Sequence, residues 1–385
     1  MNAQWVETMA RARTIRHQLH HRPEVAWAEH ATAATVRAEL DAIGIDWRAC
    51  ADTGTVARIA PAARGRRVAL RADLDAMPIT ETTGLSYASA TPGVMHACGH
   101  DGHTAVLLAA ARWLHLHETE LPGPVILLFQ PAEEGGHGAR GMIDDGALDD
   151  VDVVFGWHNW PGLPAGRALC PDGPVMSANG TFQVTLHGRG GHASQPEATS
   201  DPVLAAAAVT VALQQIVARR TAPHDAVVVA VTSLTAESAA TVTPGEATLA
   251  GSVRAADDAT RSRVFAQITA VAEGTAVAHG VRAEVITTAR YGATVNHPGA
   301  AAEYRDRLTA VLGEEWSAGA AVPVLASEDF SYYLREVPGA FALLGSGTEA
   351  PLHSGDYDFD DELLDPATRL LVGLAGAPTP PQRNR

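Results

Sequence analysis

The sequence predicts an α/β fold: a covered, mainly parallel sheet whose domain is interrupted by an inserted βαββαβ unit of ferredoxin-like arrangement. Three observations predict this. Short apolar runs alternate with helical segments early in the chain, strict apolar–polar alternation begins at Thr181, and the first pattern resumes after Tyr291. Parallel strands buried on both faces are apolar throughout, whereas a strand with one wet face alternates, so the two patterns indicate two sheets.

The first part of the predicted larger domain spans residues 1–178. Trp5, Met9, Ala12 and Leu19 recur at helical spacing, and a second helix is expected from about Ala31 until Gly44 ends it. Apolar runs at 68–70, 125–129 and 151–155 predict buried strands. Residues 104–116 are apolar almost all round, which favours a buried helix.

The inserted domain is expected over residues 179–290. Its elements are predicted as a strand containing Phe182, Val184 and Leu186, a helix at 202–220, strands at 226–233 and 247–255, a helix at 258–278 and a strand at 281–288. The larger domain then resumes over 291–385, with helices at 299–312, 327–336 and 361–374 and a strand at 341–344.

Composition excludes several classes of protein. The chain has 385 residues and a net charge of −16, which disfavours binding to nucleic acid or to anionic membranes. All 28 basic residues other than histidine are arginine, which excludes lysine Schiff bases and Walker A loops. Three cysteines, Cys50, Cys98 and Cys170, cannot all pair, and the apolar stretch at 203–213 is too short to span a bilayer. We therefore expect a cytoplasmic protein.

The densest group of ligand-type side chains is the segment HACGHDGH at 96–103. Thiolate and imidazole together suit a borderline-soft divalent metal, and the two glycines allow a tight backbone turn around it. The alternative is a buried cysteine, Cys98, among incidental surface histidines.

Acidic and imidazole side chains also follow three predicted strands, where open α/β sheets build their sites. Asp73 and Asp75 follow the first, Glu133 and Glu134 the second, and His158 the third. Adjacent residues of an extended segment point to opposite sides, so one of the two glutamates can bind metal while the other transfers protons. Taken singly, each feature has a structural alternative: a solvated glutamate pair, strand-end turn residues, or a histidine at a strand end.

Other histidines are interpreted as structural. His115 and His117 close a helical stretch in which residues two apart do not share a face. The remainder are expected to face solvent at the end of the first helix, or to lie beside the glutamates with a structural role: His17, His20 and His21 in the first group, and His137 in the second.

These motifs resemble those of the peptidase M20 family of metallohydrolases, specifically its amidohydrolase subfamily, which includes hippurate hydrolases, aminoacylases and auxin-conjugate hydrolases. The resemblance extends over nearly the whole chain. Its elements are RADLDAMPI at 71–79, MHACGHDGHTA at 95–105, FQPAEEG at 129–135, GWHNWPGLPAG at 156–166, GRGGHASQP at 188–196, SEDFSYYLREVPGAFALLGSG at 327–347 and LHSGDYDFDDE at 352–362.

The resemblance implies a catalytic domain that binds two divalent metal ions per subunit. Cys98 would be shared by both ions, with His100 and His158 on one and Glu134 and His353 on the other. Zinc or manganese is expected, with cobalt or nickel as alternatives.

The resemblance also implies the remaining catalytic roles. Glu133 would be the general base, and Asp75 would orient a metal ligand. The inserted domain would serve as a lid and as the contact of a homodimer, and His192 within it would reach the scissile carbonyl. Arg254 and Asn296 match positions that hold a substrate carboxylate.

Three features depart from the pattern of the family. The segment at 241–245 reads TVTPG where an amide side chain that contacts substrate often stands, His137 replaces a common glycine, and GDY at 355–357 is unusual. They affect the expected choice of substrate, not the metal centre.

The expected activity is metal-dependent hydrolysis of the amide bond of small N-acyl amino acids, with a metal-activated hydroxide as nucleophile and Glu133 as base. Two alternatives remain open. Cys98 could act as a cysteine nucleophile beside His100, or the protein could bind N-acyl amino acids, with metal, without cleaving them.

Overall fold

The computed structural model describes residues 2–380 and divides the chain into two units. The first comprises the described residues up to Val175, Val295–Ala321, and the described residues from Asp329 onward. The second comprises Met176–Thr294 and Val322–Glu328. The sequence pattern does not predict that Val322–Glu328 belongs to the second unit, because the whole range 291–385 is assigned to the larger domain.

The elements that precede the insertion are α1 (Ala3–His21), α2 (His30–Ile43), β1 (Trp47–Cys50), β2 (Gly54–Ile59), β3 (Val68–Asp73), α3 (His100–Leu116), β4 (Val125–Gln130), α4 (Gly138–Asp144), β5 (Val153–Trp160), β6 (Ala168–Leu169) and β7 (Gly173–Met176). Next come β8 (Ala178–His187), β9 (Gly191–His192), α5 (Pro202–Arg220), β10 (Val227–Thr235), β11 (Val242–Thr243), β12 (Glu246–Ala255), α6 (Asp258–Ala278) and β13 (Arg282–Ala289). The chain ends with β14 (Thr294–Asn296), α7 (Pro298–Leu312), α8 (Tyr333–Glu336), β15 (Gly339–Gly345) and α9 (Leu364–Leu374).

The main sheet belongs to the first unit and has seven strands in the order β1-β2-β4-β3-β5-β15-β6. Its four central strands, β4, β3, β5 and β15, are parallel, and antiparallel strands flank them at both edges. The predicted α/β fold with a mainly parallel central sheet is confirmed. Because the central strands run in the same direction, their carboxyl ends lie along one edge of the sheet.

Helix α3 is buried along most of its length, as its apolar composition predicts. It begins at His100, earlier than the predicted start at Thr104, because the ligand-rich segment is itself the first turn. Gly99 caps the helix in a left-handed conformation, with φ of +86°. A Cβ atom there would lie 2.5 Å from the Asn159 side-chain oxygen, so this turn requires glycine.

The second unit has a four-stranded antiparallel sheet in the order β10-β12-β8-β13. Helices α5 and α6 pack on the face that carries Phe182, Val184 and Leu186. The predicted βαββαβ order is observed, and the alternation that predicted it separates the helix-covered face from the open one.

Helix α5 is long and apolar enough to cross a membrane by length and composition alone, and about 33% of it is buried within the protein. Core helices of soluble proteins meet the same criterion, so this helix carries no membrane assignment. Its exposed apolar side chains include Leu204 and Val211.

Candidate metal centre

Five ligand-type side chains from distant parts of the chain converge in the first unit. They form two groups that share one cysteine, and within each group the ligand atoms lie within 4.8 Å of one another: Cys98, His100 and His158 in the first, and Cys98, Glu134 and His353 in the second. The Cys98 sulfur lies 3.3 Å from Nε2 of His158 and 3.4 Å from Nε2 of His353. The structure thus brings together all five predicted metal ligands.

The parallel strands place most of these side chains. Glu134 follows the carboxyl end of β4, and His158 lies near the carboxyl end of β5. Cys98 and His100 flank the left-handed Gly99 that starts α3, while His353 lies in the loop between β15 and α9. The first group is wholly buried, and the second opens to solvent at His353, whose side chain is 49% exposed. The cluster is therefore accessible to solvent at His353.

Asp75 holds two parts of the centre at once. Its Oδ1 atom lies 3.3 Å from Nδ1 of His100, as expected of a carboxylate that orients a ligand. Its two oxygens also accept the backbone N–H groups of Glu133 and Glu134, at 3.0 and 2.9 Å. Asp75 therefore couples the imidazole of one metal group to the loop that carries the two glutamates.

Glu133 is buried, 6% exposed, with a carboxylate oxygen within 4.8 Å of ligand atoms of His100 and Glu134. The backbone N–H of Asp329 donates to its Oε1 atom at 3.3 Å. A carboxylate next to the ligands is placed where a proton acceptor is useful.

The electrostatics of the cluster favour bound cations. Burial raises the pKa of the Cys98 thiol well above its usual value, and the nearby carboxylates of Glu134 and Glu133 raise it further. Burial would lower the pKa of His100, but the carboxylates of Asp73 and Asp75 outweigh it and raise the pKa to about 10. Carboxylates thus surround the thiol and the imidazole, which is an environment that favours a bound cation.

The donor set fits divalent metal ions. Both ring nitrogens of His100 are buried without a hydrogen bond among residues 2–380: Nδ1 lies 3.3 Å from Asp75 and Nε2 lies 3.6 Å from Asp73, and a bound cation would satisfy Nε2. Thiolate, imidazole and carboxylate are together the ligands of zinc and of neighbouring divalent ions. A buried site with this charge and this orphaned nitrogen is suited to two cations that share Cys98.

A second buried network supports the ligands and was not predicted. Asp73 accepts from Nη1 of Arg71 at 2.6 Å and lies 2.6 Å from Nδ1 of His103. The other nitrogen of His103 lies 2.6 Å from Oδ1 of Asn159, the neighbour of His158 in β5. The segment at 96–103 has more imidazoles than the two metal groups use. His103 also lies in a group with Asp73 and His100, but each of its ring nitrogens already has a side-chain partner.

His20 was expected to face solvent, and that expectation is wrong. The ring is fully buried, with Nδ1 2.9 Å from the Asp101 carboxylate. Burial would lower the pKa of His20, but Asp101 outweighs it and raises the pKa. Helical spacing alone does not show that α1 turns this position toward the start of α3.

The other histidines interpreted as structural have local partners. His115 and His117 pair with glutamates three residues later, at 3.2 and 2.7 Å. His17 pairs with Asp361 at 2.9 Å, and the exposed His21 contacts the Ala88 carbonyl. His137 adopts a left-handed conformation, and its Nδ1 lies 2.8 Å from the Tyr332 hydroxyl.

Two predicted substrate-binding residues have different surroundings. Arg254, in the second unit, donates to the Ser327 hydroxyl at 2.7 Å, and burial, then the charge of Arg290, lowers its pKa. Asn296 is 1% exposed, and its amide nitrogen donates to two backbone carbonyls while its oxygen accepts the Phe341 N–H. The contacts of Asn296 hold strands together, and they leave its amide engaged.

His192 lies on β9 of the second unit, exposed and paired with Val242 of β11. The Ser194 backbone N–H donates to Nδ1 of His192 at 3.2 Å, and the Ser194 hydroxyl lies 2.8 Å from the same atom. Because Nδ1 accepts, the proton of the neutral ring is on Nε2. The sequence does not identify Ser194 as a hydrogen-bond partner of His192, although it lies only two residues further along the chain.

These features together define a metal-dependent hydrolase. The chain belongs to the peptidase family M20/M25/M40, whose model matches residues 69–377.

Relatives of known sequence and structure are similar over nearly the full chain. An IAA-amino acid hydrolase ILR1-like 2 of Arabidopsis thaliana is 39% identical over 370 residues, 94% of this chain and 83% of its own. A hippurate hydrolase of Campylobacter jejuni is 36% identical over 364 residues, 94% of both chains. The Bacillus subtilis YXEP structure, described as a dinuclear metal binding peptidase from the M20 family, has a TM-score of 0.85 and 31% identity, covering 96% of this chain and 98% of its own.

Proposed function

We propose that this protein hydrolyses the amide bond of small N-acyl amino acids and releases a carboxylic acid and a free amino acid. The observation that carries the proposal is the buried Glu133 carboxylate beside two ligand groups that share Cys98. The names of the relatives, which include hippurate and IAA-amino acid hydrolases, support amide-linked amino acids as the substrate class.

Two divalent ions would be held by Cys98 with His100 and His158, and by Cys98 with Glu134 and His353. When bound, such ions polarise the amide carbonyl and make water a usable nucleophile at neutral pH. The thiolate and imidazoles favour zinc, whereas the carboxylate also suits manganese; cobalt and nickel are the other candidates.

Glu133 moves the proton. Its carboxylate accepts a proton from the attacking water as the carbon–oxygen bond forms, and donates it to the amine nitrogen as the carbon–nitrogen bond breaks. Asp75 and the N–H of Asp329 hold the loop and the carboxylate in place during both transfers.

His192 of the second unit is proposed to donate from Nε2 to the oxyanion that develops on the carbonyl oxygen. Support comes from Ser194, which occupies Nδ1 and leaves the proton on the nitrogen that must donate. The inserted domain is proposed to serve as a lid. The segment at 241–245 is proposed to influence the choice of substrate, and its pairing with β9 beside His192 supports this.

Arg254 is proposed to bind the substrate carboxylate. It is a half-buried cation whose neighbour Arg290 is also positive, so an anion would relieve their repulsion. Asn296 stays a predicted substrate contact, but its buried amide already bonds to the backbone of β15, so Arg254 is the better supported of the two.

Two further proposals concern the whole protein. The second unit is proposed to form a homodimer, since α5 exposes apolar side chains next to the edge strand β10. A cytoplasmic location is proposed because Cys50, Cys98 and Cys170 are all free and buried.

The alternative with Cys98 as nucleophile is less well supported. A thiol nucleophile that works without metal needs a lowered pKa, but burial and nearby carboxylates raise that of Cys98. Complete metal removal should therefore abolish turnover, and restoration of metal should recover it. Activity that survives chelation would favour the cysteine mechanism.

The decisive variant is Glu133→Gln, which removes the base and keeps the shape of the side chain. We expect kcat on an N-acyl amino acid panel to fall by about 10²–10⁴-fold, with two metals still bound per chain. Glu120→Gln, at an exposed carboxylate, is the matched control and should match the wild type. Turnover of the Glu133 variant near wild type would refute the proposed base. A metal-loaded wild type that releases no amino acid would favour the binding-protein alternative.

A further inference from the structure

The loop at 131–139 carries both Glu133 and Glu134, and buried carboxylates from three separate segments accept its backbone N–H groups. Asp75 accepts those of Glu133 and Glu134, and Asp329 accepts that of Ala139 at 2.9 Å. The third carboxylate, Glu29, accepts the N–H of Ala132 at 2.8 Å. It comes from the segment just before α2 and has no part in the proposed chemistry.

Glu29 is fully buried, and its second oxygen accepts a hydrogen bond from the Thr53 hydroxyl at 2.7 Å. Burial raises its pKa, the hydrogen bond from Thr53 opposes the rise, and the nearby charge of Asp75 adds to it. Burying a carboxyl group is costly unless its oxygens are hydrogen-bonded, and both oxygens of Glu29 have donors here.

The residue that Glu29 holds has an unusual backbone. Ala132 is fully buried with φ of +53°, in the left-handed region that residues with a Cβ atom rarely adopt. Its carbonyl accepts the Gly138 N–H at 3.1 Å, which closes the loop on itself. The next residue is Glu133, so the orientation of the Ala132 peptide sets the direction of that side chain.

We propose that Glu29 is a positioning residue for Glu133: by accepting the Ala132 N–H, it holds the left-handed turn that aims the Glu133 carboxylate into the metal centre. This inference rests on the proposed role of Glu133 as base. Asp75 cannot be used to test positioning alone, because it also lies beside the predicted ligand His100. Glu29 instead contacts the Ala132 amide and the Thr53 hydroxyl, neither of which belongs to a predicted ligand, so its effect is separable.

The chain offers a matched control. Glu118 accepts the N–H of Ala60 at 2.8 Å, and Ala60 is also left-handed, with φ of +52°. Glu118→Ala therefore removes the same kind of hydrogen bond from the same kind of backbone, but outside the loop at 131–139.

The first test compares steady-state kinetics and metal content. For Glu29→Ala we expect kcat to fall about 100-fold, KM to change less than about 3-fold, and two metals per chain to remain, because misplacement of a reacting group by about 1 Å costs roughly that factor. Glu29→Gln keeps an acceptor oxygen and should retain at least about a third of kcat. Glu118→Ala should keep kcat. Wild-type kcat in Glu29→Ala, or an equal loss in both alanine variants, would overturn the proposal.

The second test uses the backbone. Glycine adopts the left-handed conformation without the Cβ penalty, so Ala132→Gly should reduce the need for Glu29. In the Glu29→Ala background we expect it to restore kcat by about 10-fold, a coupling that a double-mutant cycle measures. Additive effects of the two changes would contradict the proposal. Should Glu29→Ala fail to fold, Thr53→Val, which removes only the hydroxyl, should lower kcat by a smaller factor.

Hydrogen exchange separates this inference from the proposed function. The amides of 132–134 should exchange faster in Glu29→Ala than in the wild type and stay protected in Glu118→Ala. Unchanged protection would overturn the positioning role, whatever the activity. If the wild type hydrolyses no substrate, the proposed function fails, and the exchange result still decides whether Glu29 holds the loop.

Discussion

At the residue scale, Cys98 is the side chain on which both ligand groups depend. Because its sulfur lies close to ligands of both groups, Cys98→Ala should lower metal content below one ion per chain and abolish turnover. Removing a ligand specific to one group, as in His353→Ala, should leave one ion bound. Metal analysis after gel filtration at fixed free metal measures both.

The control for this prediction is Cys170→Ala. Cys170 is equally buried, and burial raises the pKa of its thiol to about 12, but it lies outside both ligand groups. Its removal should leave two ions and near wild-type kcat. A Cys98→Ala protein that still binds two ions would show that the groups do not share the sulfur.

The residue types of the proposed metal ligands could be predicted, since cysteine, histidine and glutamate that follow strands of an α/β sheet are typical of a metal site. The residues that hold them could not. Glu29 and Asp329 act by accepting backbone N–H groups, and any buried carboxylate can do so, so no sequence signature distinguishes them. The burial of His20 could not be predicted either, because it depends on how α1 packs against the rest of the first unit.

At the element scale, Arg16 of α1 is the buried cation that joins three parts of the first unit. Its guanidinium contacts Asp101 of α3 at 3.3 Å, and Asp358 and Asp361 of the segment after His353, at 3.4 and 2.5 Å. Arg16→Leu removes the cation that these carboxylates share; His20 still pairs with Asp101, but the buried guanidinium contact is lost, so the free energy of unfolding should fall by about 3–5 kcal/mol. Urea unfolding at fixed metal concentration measures the change.

Arg13 is the comparison on the same helix. It also pairs with Asp361, at 3.2 Å, but its side chain is 52% exposed. Arg13→Leu should therefore change the free energy of unfolding by no more than about 1 kcal/mol. Equal losses in the two variants would mean that burial of the Arg16 network does not determine its strength.

Helices with a clear start signal could be predicted from the sequence, and segments without one could not. The helices α5 and α6 match their predicted ranges because a capping aspartate defines the start of each. The predicted helix at 327–336 is instead a short 3₁₀ turn, Asp329–Ser331, followed by α8. In this segment, buried polar contacts of Asp329 to Arg71 and Gln130 override the helical pattern.

At the scale of the whole molecule, the two units carry different parts of the proposed chemistry. All five predicted metal ligands and Glu133 lie in the first unit, whereas His192 and Arg254 lie in the second. Substitution in the second unit should therefore alter kcat and KM without altering metal content. For His192→Ala we expect a loss of about 10²–10³-fold in kcat with two ions retained. Loss of metal in this variant would contradict the assignment.

The proposed homodimer depends on α5 and on the open edge of β10. An edge strand leaves unpaired backbone groups, and α5 adds exposed apolar area there, with Val211 73% exposed. Val211→Glu places a charge in that surface and should shift the protein to monomer at micromolar concentration in sedimentation velocity. Val277→Glu, on α6 and 77% exposed, changes an equally exposed valine on the other helix and should stay dimeric. If the dimer survives Val211→Glu but dissociates in Val277→Glu, the interface is on α6 instead of α5. A wild type that is monomeric would refute the proposed homodimer.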